Sequence, residues 1–273
     1  MLSLLPEVVA LEHEIFVVDN ASSDGSAGML ASEFPAIKVI INETNVGFAR
    51  ANNRALRQAL GRDVLLLNPD TLVRSGAVAA LLDALHGQAS AVGVGPRVLR
   101  LDGRLDLACR RSFPSPAVAG ARLLGLSRLF PRNRVLSRYN RTFDDPEQPG
   151  EMDAGTAAAM CFTRESLVQV DFFDEQFFMY GEDLDLCYRL KQRGGKIYYV
   201  PGAVVVHLKG MASARNPTAM LRQFHRSMWI FYRKHYSRGW RGALAPGIWL
   251  GIWARYGLVL AWNAARGRQV VSP

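Results

Sequence analysis

Cysteine is scarce and scattered in this sequence. Cys109, Cys161 and Cys187 are the three present in 273 residues, with no CxxC spacing among them. An odd, dispersed set excludes a disulfide framework and a cysteine-based zinc site, and it favours a reducing compartment. Acid is also short. Against 33 Lys and Arg stand 24 Asp and Glu, a formal net charge of +9. That balance directs attention to anionic partners: nucleotides, phosphates, nucleic acid or an acidic membrane surface. The basic residues are spread along the chain and no nucleic-acid-binding motif occurs, which sets a nucleic-acid partner aside. There is no internal repeat and no low-complexity segment. The opening "MLSLLPEVVALEHE" lacks a basic leader, and Pro6 and Glu7 break its apolar stretch, so it does not read as a signal peptide.

What is there has the composition of a folded globular protein, 49% hydrophobic and 21% charged. The length suits one large α/β domain or two small ones. "EIFVVDN" (14–20), "IKVIIN" (37–42) and "DVLLLNPDT" (63–71) are short apolar runs ending in polar turn residues, the pattern of buried parallel strands. Helical stretches "ASSDGSAGMLASEF" and "NVGFARANNRALRQAL" lie between them, which predicts βαβ units and a parallel sheet. In such sheets ligands sit beyond the carboxyl ends of the strands. Those ends carry Asp19-Asn20, Asn42 to Asn45, and Asn68-Pro69-Asp70. Further on, "SGAVAALLDAL" reads as a helix and "AVGVGPRVL" as a strand. Residues 110–150 read as an irregular Arg-, Pro- and Ser-rich stretch suited to acceptor-binding loops, and "KIYYVPGAVVVHLKG" (196–210) as a strand pair broken at Pro201-Gly202.

Three places could carry chemistry. An Asp closing a strand, as Asp70 does, is by itself a turn residue with Pro69 fixing φ. It is also a carboxylate placed to share a divalent cation with substrate phosphates. His207, closing an apolar strand, is on its own most simply a hydrogen-bonded core residue. "YGEDLDLCYRL" (180–190) sets Glu182, Asp183 and Asp185 within four positions. Acids commonly open helices, where they suit the dipole, yet the preceding "FFDEQFFMY" is too apolar for a surface strip. Asp183, partly desolvated in a first turn, would be the better proton acceptor near neutral pH. Glu182 and Asp185 would then be helix-end charges supporting the base or the acceptor.

In order along the chain, "VVDNASSDGS", "NVGFARANN", "LLLNPDT", "FFDEQFFMYGEDLDLCYRLKQRGG" and "VPGAVVVHLKG" resemble the family 2 inverting glycosyltransferases of GT-A fold, and most nearly their rhamnosyltransferase-like, cell-surface polysaccharide branch. The resemblance implies an α/β fold over residues 1–215, with a Rossmann-like mixed sheet flanked by helices. It implies a metal-dependent hexosyltransferase moving a sugar from a nucleotide-diphosphate donor (dTDP-rhamnose, or a UDP- or GDP-sugar) to a hydroxyl of a cell-surface glycan or lipid-linked acceptor. By the same resemblance Asp19 would contact the nucleobase or ribose, while Asn45, Gly47, Arg50, Asn53 and Asn68 would lie along the nucleotide-sugar. Asp70 would be the remaining acid of a DxD-type motif and, with His207, would hold Mg²⁺ or Mn²⁺. Asp183 would be the catalytic base of the "ED" pair. One departure stands out. The family opens with an apolar strand and loop, whereas "LSLLPEVVALEHE" matches the helix after it. The expectation is a start placed too late, with a mid-sheet gap that leaves backbone groups unpaired. A truncated or inactive member that binds nucleotide or carbohydrate is the alternative.

Residues 216–273 are expected to form a helical, membrane-interfacial segment. "ALAPGIWLGIWARYGLVLAW" (243–262) approaches the roughly 20 apolar residues a spanning helix needs. Arg255, Pro246 and its glycines count against spanning. Tryptophan anchors and a basic collar (Arg233, Lys234, Arg238, Arg241, Arg266, Arg268) suit a helix lying at the interface, with a buried core helix as the other reading. The expected location is cytoplasmic, peripheral at the inner, anionic face of the cell membrane.

Overall fold

The computed structural model describes residues 1–208 and 217–266. The apolar runs do become strands. β1 (Phe16–Asp19) and β2 (Lys38–Ile41) pair in parallel across α2 (Ser26–Glu33). They form a two-stranded sheet of their own. The second sheet has six strands, and its first, β3 (Asp63–Leu67), lies beyond α3 (Phe48–Leu56). Its other members are β4 (Thr71–Val73), β5 (Ala91–Leu99), β6 (Gly150–Met152), β7 (Ala159–Thr163) and β8 (Lys196–His207). The order is β3-β7-β5-β8-β4, with β6 beside β8.

Only β5 and β8 pair in parallel within it, so the sheet is mixed, as the family resemblance implies, rather than the parallel one that strand–helix alternation predicts. The physical reason is β7, a short buried apolar run that inserts antiparallel between β3 and β5. Gly93 of β5 makes that insertion possible, because a Cβ there would stand 2.6 Å from the Phe162 ring. Among the described residues β1 pairs only with β2 and β3 only with β7, which leaves each with one open edge.

Two local expectations change. The strand pair at 196–207 is one strand with a bulge: register runs from Pro96↔Val200 to Arg97↔Val204, and Pro201-Gly202 sit in the excursion, where a missing N–H is tolerated. Lys209 and Gly210, and likewise Arg268, lie outside the described residues. The helix expected in "LSLLPEVVALEHE" is a single turn, α1 (Leu5–Val8), whose Val8 packs with Val78, Leu81 and Leu85 of α4 (Ala77–His86). The 110–150 stretch is not wholly irregular. It holds two short helices, α5 (Pro116–Leu123) and α6 (Leu126–Leu129).

The main core joins Phe162, Phe173, Phe177, Leu186, Ile197 and Tyr199, each large apolar side chain contributing about 1.5–3 kcal/mol on burial. α7 (Arg164–Gln169) follows β7, and α8 (Glu182–Gln192) lays its apolar face on this core. α9 (Pro217–His235) adds Phe231 to the same core, so the helical C-terminal segment begins as part of the globular body. α10 (Ala245–Arg266) packs along α9 and buries only Ile252, which removes the reading of α10 as a core helix.

Candidate functional site

The Asn68-Pro69-Asp70 turn links β3 to β4, and its backbone is pinned on both sides. Asn68 N–H donates to the Ala158 carbonyl, the Thr71 hydroxyl to the Asn68 carbonyl, and Leu208 N–H to the Asp70 carbonyl. Because β4 pairs with β8 in the register Thr71↔His207, the imidazole arrives beside the carboxylate. His207 Nε2 lies 3.1 Å from Asp70 Oδ1. That hydrogen bond outweighs desolvation and holds the Asp70 carboxyl below its ordinary value. The other ring nitrogen, Nδ1, is buried without a hydrogen bond and stands 4.0 Å from Asp106 Oδ2.

This pair fits a divalent cation. Adjacent ligands of an octahedral ion bound at about 2.0–2.1 Å stand about 3 Å apart, close to the observed spacing. One carboxylate and one imidazole leave most of the shell to phosphate and water. Among the described residues no group of three or more His, Cys, Asp or Glu side chains is arranged to enclose a metal.

Asp183 sits in the first turn of α8. Tyr180 (φ +69°) and Gly181 (φ +79°) both adopt left-handed backbone, turning the chain sharply out of the Phe-rich loop into the helix. The Asp183 side chain is nearly buried and accepts from Arg111 Nη2 at 2.6 Å and from Leu184 N–H at 2.7 Å. Arg111 also donates to the Gly155 carbonyl. Burial works against a charge on Arg111, but Asp183 and Tyr139 outweigh it and keep the guanidinium ionised.

The neighbouring acids differ sharply. Burial, and then the charge of Asp183, push the Glu182 carboxyl up to about 8, and its Oε2 has no hydrogen-bond partner. Both causes favour the protonated form of Glu182. Asp185 is fully buried and faces away from the other two. Its Oδ2 accepts from Arg189 at 2.7 Å, and its Oδ1 meets Lys234 at 2.8 Å and His235 at 2.7 Å on α9. Burial alone would raise the Asp185 carboxyl, but those partners outweigh it and hold it below its ordinary value. The sequence grouped three acids; the fold gives Asp183 an arginine partner, buries Glu182 with Oε2 unpartnered, and makes Asp185 an interhelix clamp.

The residues expected along the donor fall into two groups. Asp19 accepts from Ser22 N–H at the end of β1. Beside it, Asn20 bonds Asn42, Asn45 and Val46, and Asn45 in turn accepts from Gly47 N–H. Asn45 and Gly47 therefore belong to an asparagine network that shapes the strand-end loops. Gly47 (φ +86°) does have a close neighbour, but it is protein: a Cβ there would lie 2.5 Å from the Phe178 carbonyl oxygen. Arg50 bonds Glu175, and Asn53, fully buried, exchanges hydrogen bonds with the Phe173 backbone and donates to Glu175. These two residues tie α3 to the loop that presents the acids.

Two side chains escaped the sequence reading, Asp106 and Arg111. They sit on one segment that reaches His207 at one end and Asp183 at the other. The only local signal was the doublet Arg110-Arg111 in a stretch without apolar periodicity.

A mixed α/β sheet with helices on its faces is the architecture of the GT-A fold. Solved glycosyltransferases share it. A mannosyltransferase from Pyrobaculum calidifontis, solved with GDP-Man and Mn²⁺, superposes at TM-score 0.54 and 18% identity over 93% of this chain and 66% of its own. GalNAc-T7, solved with UDP, GalNAc and Mn²⁺, does so at TM-score 0.51 and 16% identity over 95% of this chain; this chain spans 52% of its length. The model of the glycosyltransferase like family 2 matches residues 5–229, and the chain belongs to that family. It is 31% identical over 243 residues, 84% of this chain and 78% of the relative, to the N-acetylglucosaminyl-diphospho-decaprenol L-rhamnosyltransferase of Mycobacterium tuberculosis.

Proposed function

We propose that this glycosyltransferase moves a sugar, with inversion, from a nucleotide-diphosphate sugar to a hydroxyl of a cell-surface glycan or lipid-linked acceptor. The 31% identity to a rhamnosyltransferase supports dTDP-rhamnose as the first donor to test. The observation that carries the reading is the Asp70–His207 pair, 3.1 Å apart at a strand end. Asp70 and His207 would hold Mg²⁺ or Mn²⁺, whose positive charge would offset the charge growing on the leaving diphosphate. Asp183 takes the proton from the acceptor hydroxyl as that oxygen attacks the anomeric carbon from the face opposite the diphosphate. Arg111 holds the Asp183 carboxylate in place, and Glu182, where protonated, spares it a second negative charge. A single displacement inverts the configuration and needs no protein nucleophile.

Membrane contact belongs to the same proposal. The run Arg241–Arg266 is long and apolar enough to cross a bilayer by length and composition, yet Arg255 at its middle donates to His225 Nε2 at 2.7 Å on α9. Spanning would break that bond and carry an arginine toward the bilayer centre, at a cost of a few kcal/mol or more. A helix lying on the surface keeps it. The open edges of β1 and β3 favour one rival, a member that binds nucleotide or carbohydrate without transfer. Nucleotide release from dTDP-rhamnose and from UDP- and GDP-sugars, with Mn²⁺ and with EDTA, decides between them. Metal-dependent release supports transfer, and donor binding without release supports the rival.

A further inference from the structure

Between Asp106 and Asp144 the chain has no acidic residue and eight arginines. The helical hairpin α5–α6 and the loop after it lie inside this interval. Ser115 caps α5 by accepting from Val118 N–H, and Gly125 (φ +75°) makes the turn into α6. Asn133 Oδ1 accepts from Val135 and Leu136 N–H, and the Ser137 hydroxyl donates to the Phe130 carbonyl. On this ordered frame apolar side chains point outward: Leu124 is 76% exposed, Leu129 71%, Phe130 52% and Val135 74%. Arg128, Arg132, Arg134 and Arg138 are exposed among them. Water gives such a set no reason to be displayed, whereas an interface of acyl chains beneath anionic headgroups matches both halves of it.

Burial, and then the charge of Arg122 at the end of α5, lower the Arg255 pKa. α10 exposes Leu250 (63%) and Leu258 (72%).

We infer that the α5–α6 hairpin and its following loop dock on a bilayer bearing anionic lipids, inserting Leu124, Leu129, Phe130 and Val135 while the exposed arginines meet the headgroups. This is a contact separate from α10. Tyr139 carries Arg122 over its ring at 4.3 Å, and its carbonyl accepts from the N–H of Ser112, the residue after Arg111, the partner of Asp183. Docking here therefore sets the proposed base beside the bilayer surface where a lipid-linked hydroxyl is presented. That last consequence alone rests on the transfer reading.

The test is co-sedimentation of the full chain with phosphatidylcholine vesicles, with and without phosphatidylglycerol. Wild type is expected to bind the anionic vesicles and to be released by salt. Each surface arginine contributes about a five-fold factor, so Arg128→Gln with Arg132→Gln lowers partitioning roughly twenty-fold. Leu124→Ser with Phe130→Ser and Val135→Ser lowers it with an unchanged circular dichroism spectrum and melt. Leu250→Ser with Leu258→Ser, made separately, reports on α10 alone, and hairpin-dependent binding that persists in it leaves the inference standing. Equal binding to neutral vesicles, no binding by wild type, or full binding by well-folded hairpin variants would each overturn the inference. So would self-association abolished by the same variants, which assigns the patch to a second copy. Vesicle binding is read without any sugar transfer, so failure of the transfer proposal is separately visible.

Discussion

Asp185→Asn should destabilise the fold by an amount that its surroundings set. The carboxylate is fully buried, is the counter-charge for Arg189 and Lys234, and hydrogen-bonds His235 of α9. Removing one partner from a buried ionic cluster costs about 3–5 kcal/mol, because the remaining charges stay desolvated. Lys234 retains 29% of its side-chain surface and also meets Asp174 at 2.5 Å, so the loss should fall near the lower end, about 3 kcal/mol. For a domain of this size that lowers Tm by roughly 6–12 °C. Thermal unfolding followed by circular dichroism measures it. The pH dependence has a definite sign: the folded carboxyl is held below its ordinary value of 3.8, so its contribution is full above that value and is lost as pH falls through the lower folded one. The gap between wild type and variant should thus persist through neutral pH and close only under strong acid. A shift smaller than about 2 °C at neutral pH would refute the clamp.

Glu182→Gln should behave oppositely. Its raised carboxyl lets the folded state keep a proton that the unfolded chain releases between 4.5 and about 8. Wild type therefore loses stability as pH rises through that window, and the variant should match it near pH 4 and exceed it increasingly toward pH 8 in denaturant titrations. Gly47→Ala meets both a φ of +86° and the Phe178 carbonyl, and should cost about 1–3 kcal/mol in the same measurement. His207→Ala should weaken Mn²⁺ binding, followed by calorimetry, by about ten-fold or more. Unchanged affinity would remove His207 from the metal site.

The strands were legible where apolar runs ended in polar turns, and α8 begins where "YGEDLDL" placed its start, at Glu182 after Gly181. The meeting of Asp70 with His207, 137 residues apart, was implied only by the family resemblance; the residues alone did not show it. What stayed hidden were pairings that depend on register or on distant packing. Nothing local in "AAAMCFT" says that it runs antiparallel between β3 and β5. Arg111 reaches Asp183 across 72 residues, and His235 reaches Asp185 across 50. An arginine doublet carries no sign of its partner, and three acids at helical spacing look alike until the fold gives each a different neighbour. Asn53 and Gly47 show the converse, since the motif that names them as donor contacts equally serves to strap α3 to the acid-bearing loop.

The central claim is that Asp183 is the base of a metal-assisted sugar transfer. Its most direct test is nucleotide release from the donor by Asp183→Asn in the presence of Mn²⁺ and acceptor, with donor binding measured on the same protein. The account predicts turnover lower by about 10²–10⁴-fold with donor affinity nearly unchanged. Turnover at the wild-type rate would contradict it.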